Sequence, residues 1–165
     1  MSDIHFEIMR DEFLEQAADI YNYYVEATTV TFHTEKLGSE EMKAILYQDD
    51  PIYISYAILD DGKLCGYAYM APYKKRQAYR ISSEVTIYLK PEYAGKGIGG
   101  QALVLLEKKA LECGIHSFLA VICAENRASI RLFEKNGYQL CANFKEVGMK
   151  FGRMLDVVVM QKILD

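Results

Sequence analysis

The spacing of apolar positions changes period along the chain, and each change marks an element. His5 to Met9 alternates polar and apolar, the period of a half-buried strand. Phe13, Ala17, Ile20, Tyr21 and Tyr24 then recur at helical spacing, which predicts a first amphipathic helix. Ser39 before Glu40 and Glu41 reads as a capping residue with an acidic first turn, opening a second helix to about Tyr47. Ile52 to Leu59 and Lys63 to Ala71 flank Asp60-Asp-Gly62, a hairpin signal, and a further strand covers about Glu84 to Leu89. A third helix runs from about Gly99 to Glu112 and closes on Cys113-Gly114. Phe118 to Ile122 is an unbroken apolar strand, as both-sided burial requires. A fourth helix, about Ala128 to Lys135, ends on Asn136-Gly137, and strands near Tyr138 to Glu146 and Met154 to Lys162 follow. The order β-α-α-β-β-β-α-β-α-β-β is that of an α+β domain in three layers, a mixed sheet of about seven strands flanked by about four helices. No repeat, linker or low-complexity tract divides residues 1–165, so one domain is expected.

The densest chemistry lies between the third long strand and the third helix, in Tyr88-Leu-Lys-Pro-Glu-Tyr-Ala-Gly-Lys-Gly-Ile-Gly-Gly-Gln-Ala-Leu103. Glycines at 95, 97, 99 and 100 allow the backbone to approach a ligand closely, and the helix that follows offers free N–H groups and a positive dipole end. Such a turn is an anion site suited to a pyrophosphate. Gly95, Gly97 and Gly100 formally fit the dinucleotide fingerprint, with Glu125 as a ribose ligand, but they follow an antiparallel meander and no second βαβ half appears. No Gly-Lys-Ser/Thr follows, which excludes a P-loop.

Composition narrows the partners. The chain is 51% hydrophobic and 25% charged, enough apolar content for a real core. Its net charge of −4 argues against a nucleic-acid or anionic-membrane binder. No apolar run approaches the roughly 18 residues of a membrane span, and Met1-Ser-Asp-Ile-His-Phe-Glu7 reads as no signal peptide, so a cytoplasmic protein is expected. Cys65, Cys113, Cys123 and Cys141 form no Cys-x-x-Cys pair and read as reduced, mostly buried thiols; no metal site is expected. His5, His33 and His116 are isolated and read as structural or exposed.

Ala94-Gly-Lys-Gly-Ile-Gly99, followed by Asn126-Arg-Ala-Ser-Ile-Arg-Leu-Phe-Glu-Lys-Asn-Gly-Tyr138, resembles the two core motifs of the GNAT acyltransferase superfamily. Ile20-Tyr-Asn-Tyr-Tyr-Val-Glu-Ala-Thr-Thr-Val-Thr-Phe32, Arg76-Gln-Ala-Tyr79, Glu84-Val-Thr-Ile-Tyr88 and Gly148-Met-Lys-Phe-Gly-Arg-Met-Leu-Asp156 narrow the likeness to the phosphinothricin and methionine sulfoximine N-acetyltransferases. This resemblance implies a V-splayed sheet with acetyl-CoA between two parting strands. It implies that Ile87, Tyr88 and Leu89 pair with the pantetheine arm, with a bulge aiming one N–H at the thioester carbonyl. By the same likeness Gly95, Lys96, Gly97, Ile98, Gly99 and Gly100 hold the pyrophosphate, and Asn126 meets the cofactor unless it merely caps its helix.

For the acceptor, the family places its catalytic glutamate at Glu84, which would take a proton from a small-molecule amine directly or through a water. An ion pair with Arg80 or Arg76 is the plain alternative for Glu84. Lys74, Lys75 and Arg76 suit an acceptor carboxylate or phosphinate, Tyr79 walls the pocket, and Val85 and Thr86 adjoin it. Phe32 resembles the opposite aromatic wall, with core packing as its alternative. Two departures stand out. Ala94 replaces the usual Arg or Gln behind the phosphates, and Phe133 stands where the family has a Tyr or His proton donor. They leave open a domain that binds acyl-CoA without turnover, and an acetyltransferase of protein amines is the other alternative. The family also implies a homodimer.

Overall fold

The computed structural model describes residues 2–165. Seven strands form one sheet in the order β1-β2-β3-β4-β5-β7-β6. In chain order they are β1 Ile4–Ile8, β2 Ser55–Asp60, β3 Lys63–Pro72, β4 Ser82–Leu89, β5 Ser117–Cys123, β6 Gln139–Lys150 and β7 Arg153–Ile163. The helices are α1 Leu14–Ala27, α2 Ser39–Leu46, α3 Ile98–Glu112 and α4 Arg127–Lys135. Every neighbouring pair is antiparallel except β4 with β5, whose crossover is α3.

The period-2 alternation of the strands sends side chains to two apolar layers. On one face, Phe13, Ala17, Ala18, Ile20 and Val25 of the α1 region pack with Met42 and Leu46 of α2 over Ala57, Leu59 and Tyr67. On the other, Ala102, Leu103 and Leu106 of α3 and Phe133 of α4 pack over Ile58, Met70, Val85, Phe118, Ala120 and Ile122. The sheet is therefore the middle of three layers, as the element order predicts. No helix among the described residues is long and apolar enough to cross a membrane.

The differences from expectation are local. Gly38, not Ser39, is the N-cap of α2, and Gly97, one position earlier than expected, precedes α3. Val121 of β5 is exposed, so that strand is not buried on both faces, and Cys141 is an exposed thiol on the edge strand. β6 does not end at Glu146. A bulge between Phe144 and Gly148, with Glu146 at φ 51°, interrupts its alternation, and the strand then resumes to Lys150. β6 turns into β7 through Phe151 and Gly152, both at positive φ, the conformation a two-residue hairpin requires. Asp61 and Gly62 do the same between β2 and β3.

Candidate active site

The parallel pair β4–β5 is joined at only three positions, Ser82 with Ser117, Ser83 with Phe118 and Glu84 with Leu119. Beyond Glu84 the strands part. β4 stays in register with β3 through Leu89, and β5 stays with β7 through Cys123. The β5-facing edge of residues 85–89 is thus a stretch of extended backbone with no strand beside it. The Tyr24 hydroxyl already serves the Leu89 carbonyl; the other backbone polar groups there need a partner, and an extended ligand carrying amides can pair with them as an added strand. The β3–β4 register is continuous, so the bulge implied in β4 is absent; the parting of the strands, not a bulge, frees the backbone donors.

At the far end of β4 the chain passes through Pro91–Tyr93 into the glycine turn. Gly95 and Gly97 have φ of 76° and 81°, the left-handed region that side chains disfavour. The amides of residues 95 to 100 find no acceptor among the described residues; the first that does is Gln101, bonded to the Gly97 carbonyl at 3.2 Å. These amides and the N-terminus of the fifteen-residue α3 form the predicted anion cradle. The glycines divide the work. Gly99 is buried at the α3–α4 contact, where a Cβ would stand 3.1 Å from Leu132 Cδ2, and Ile98 points into the core. Lys96 is exposed and lies over the Tyr93 ring, 5.3 Å from its centroid, leaving its charge near the turn.

Asn126 is the N-cap of α4, its Oδ1 accepting from Ser129 N–H at 3.2 Å. Capping occupies the oxygen, and Asn126 lines a cavity of about 300 Å³ together with Ala27 to Val30, Glu125, Phe151 and Arg153. Arg153 holds Glu125 through two bonds, at 2.6 and 3.1 Å, which with Thr29 Oγ1 lowers the Glu125 pKa to about 2. Glu125 is thereby committed to an ion pair rather than to a ribose.

Glu84 lies at the last paired position before the strands separate, partly buried, with no ion pair or hydrogen bond to its carboxylate among the described residues. Arg80 pairs instead with Asp50 at 2.8 Å. Burial alone pushes the Glu84 carboxyl above its ordinary range. Alternation places Glu84, Thr86 and Tyr88 on the α1/α2 side of the sheet, and Val85, Ile87 and Leu89 on the α3/α4 side. Val85 is accordingly a core residue that can adjoin an acceptor pocket only through its backbone. The Tyr88 ring packs against Tyr21, Tyr24 and Tyr67, and its carbonyl turns toward Gly66 of β3 rather than to the open edge.

The basic loop is exposed at Lys74, Lys75 and Arg76, as a charged recognition element or a solvated surface both require. Aromatic contacts order it: Tyr73 and Tyr79 meet edge to face at 5.6 Å, and the Arg76 guanidinium lies 5.7 Å from the Tyr79 ring centroid. Phe32 is part-exposed and rests on Gly148 of β6. Phe133 is buried edge to face on Tyr138, a core residue in place of a proton donor, and Ala94 is exposed before the turn.

The acetyltransferase (GNAT) family model matches residues 17–138, which span both the acidic strand and the glycine turn. The chain belongs to this family. The phosphinothricin N-acetyltransferase of Streptomyces coelicolor is 35% identical over 151 residues, 89% of this chain and 88% of its own length. The L-methionine sulfoximine/L-methionine sulfone acetyltransferase of Salmonella typhimurium is 32% identical over 150 residues, 89% and 86% of the two chains. The Sinorhizobium meliloti GNAT phosphinothricin acetyltransferase, solved in complex with acetyl-CoA, shares the fold at a TM-score of 0.92 and 31% identity, over 98% of this chain and 88% of that one. This GNAT chain is an N-acetyltransferase.

Further residues flank Glu84 on its side of the sheet. Tyr69 stands opposite Thr86 in the β3–β4 register, and burial, with the Glu84 charge adding to it, pushes its phenol up to about 12. The Tyr21 hydroxyl bonds both Thr31 Oγ1 and His33 Nδ1, so His33 is an exposed histidine with a fixed partner. Strand parity points to Tyr69, whereas no local pattern signals the bonds that join Tyr21 to Thr31 and His33.

Proposed function

We propose that this protein is one acetyltransferase domain that transfers the acetyl group of acetyl-CoA to the amine of a small amino acid or analogue of the phosphinothricin or methionine sulfoximine type. The carrying observation is the position of Glu84, an unpaired, part-buried carboxylate where β4 and β5 separate. Three features of the chain fit acetyl-CoA: the unaccompanied edge of residues 87–89 for the pantetheine, the amides of residues 95–100 for the pyrophosphate, and Asn126 at the start of α4 as a further contact. Bound there, acetyl-CoA supplies an acyl group activated as a thioester.

The residues of the chain do the rest. Glu84, its pKa raised toward neutrality by burial, accepts the proton of the acceptor amine, directly or through a water. A free N–H on the β4 edge stabilises negative charge developing on the carbonyl oxygen. Arg76, with Lys74 and Lys75, attracts the acceptor's carboxylate, and Tyr79 and Phe32 bound the apolar remainder. Phe133 supplies no proton, and a thiol of pKa near 8.5 leaves as thiolate without one. Transfer is direct, within a ternary complex. We assign the protein to the cytoplasm, as a homodimer joined through the apolar β6–β7 edge.

Glu84→Gln keeps shape and removes the base. It lowers kcat by about 10²-fold or more while calorimetric acetyl-CoA binding stays at the parent value. Full turnover by Glu84→Gln would remove Glu84 from the base's role.

A further inference from the structure

Lys150 is only 4% exposed, yet no carboxylate pairs with it among the described residues. A buried ammonium without a counter-ion is costly, and a methionine of similar volume would fill the space more cheaply. Its Nζ donates instead to two carbonyls, that of Thr31 at 2.8 Å and that of Tyr24, in the last turns of α1, at 3.4 Å. Two residues earlier on the same strand, Gly148 sits directly under the Phe32 ring. A Cβ there would lie 2.5 Å from Phe32 Cε2 and 2.8 Å from Cδ2. From the other side, the Tyr21 hydroxyl holds the Thr31 side chain and the His33 ring. Residues 31 to 33 are thus fixed from β6 and from α1 together. They lie over the face that carries Glu84, Thr86 and Tyr88, because Tyr21 and His33 meet edge to face and Tyr21 meets Tyr88 the same way, at 5.3 Å.

We propose that Lys150 is a positioning residue of the acceptor site: its ammonium anchors the Thr31 backbone so that Phe32, seated on Gly148, forms a fixed wall that selects the acceptor side chain. This rests on the reading of the Glu84 face as the acceptor side. Burial lowers the Lys150 pKa, consistent with an ammonium held for its hydrogen bonds rather than for an ion pair. Because β6 reaches the site from the sheet edge, the anchor couples acceptor selection to the hairpin and leaves the cofactor grip on α3 untouched.

Lys150→Met and Gly148→Ala disturb the wall from two directions. Each raises the acceptor KM on the order of tenfold, the scale of one charge-assisted hydrogen bond, with the acetyl-CoA KM unchanged. Amide hydrogen exchange of residues 28–33 speeds up in Lys150→Met and stays slow in Lys150→Arg, a difference that loss of general stability would not produce. Where Lys150→Met does not fold, Gly148→Ala carries the test with the same kinetic signature. An active parent whose folded variants keep the parental acceptor KM and exchange, or lose acetyl-CoA affinity equally, overturns the positioning role alone. A parent that turns over no amine overturns the acceptor reading, and the positioning role with it.

Discussion

Glu84 carries opposing demands. A carboxylate kept from ion pairs and partly from water is a better base at neutral pH and a worse contributor to folding. Its folded pKa lies above the unfolded one, so between those values the native state binds more protons than the unfolded state. Stability therefore falls as pH rises through that window, and the loss is complete above it. Glu84→Gln should raise Tm at pH 7, with the gain fading below the ordinary carboxylate range. The acidic limb of kcat/KM, set by the same proton, should lie above that range in the parent and vanish in the variant. Calorimetric scans at the two pH values check the first; a lowered Tm at pH 7 would mean that Glu84 is paired in solution. Glu84 was picked out only by the family resemblance, while the glycine turn was legible as a local run with its own chemistry. Lys150 was not, since its partners lie more than a hundred residues away. Strand parity separates Val85, a core side chain, from Glu84, Thr86 and Tyr88 on the other face.

Among the elements, the turn into α3 shows how adjacent glycines serve different ends. Gly97 must adopt φ 81°, which costs an alanine about 1–2 kcal/mol. Gly97→Ala should lower stability by about that amount and weaken acetyl-CoA binding, because the amides that follow it turn away. Gly99→Ala should lower stability by crowding Leu132 across α3 and α4 while leaving the acetyl-CoA Kd near the parental value. Calorimetric titration of both variants separates the roles; equal loss of affinity would make the two glycines one unit. Hairpin β2–β3 was readable from Asp61-Gly62. Hairpin β6–β7 was not, because its first turn residue is Phe151, which rarely takes φ 53°. The parting of β4 from β5 had no local sequence signal and was implied by the family resemblance alone.

Across the whole molecule, β6 is a sheet edge that exposes Leu140, Phe144, Val147 and Met149, with Phe151 and Met154 completing the apolar surface. The bulge at residues 145–147 prevents open-ended strand addition there, while the apolar side chains favour a closed contact between two copies. Light scattering should give twice the 18.9 kDa chain mass, and Phe144→Glu with Met154→Glu should return it to one. A monomeric parent would assign that surface elsewhere. Acetyl transfer from acetyl-CoA to a small amino-acid amine is tested most directly by thiol release from acetyl-CoA across an amine panel. Saturable turnover with methionine sulfoximine or phosphinothricin, and none with peptide amines, is the predicted result. Turnover confined to a peptide, or acetyl-CoA binding with no turnover of any amine, would contradict it.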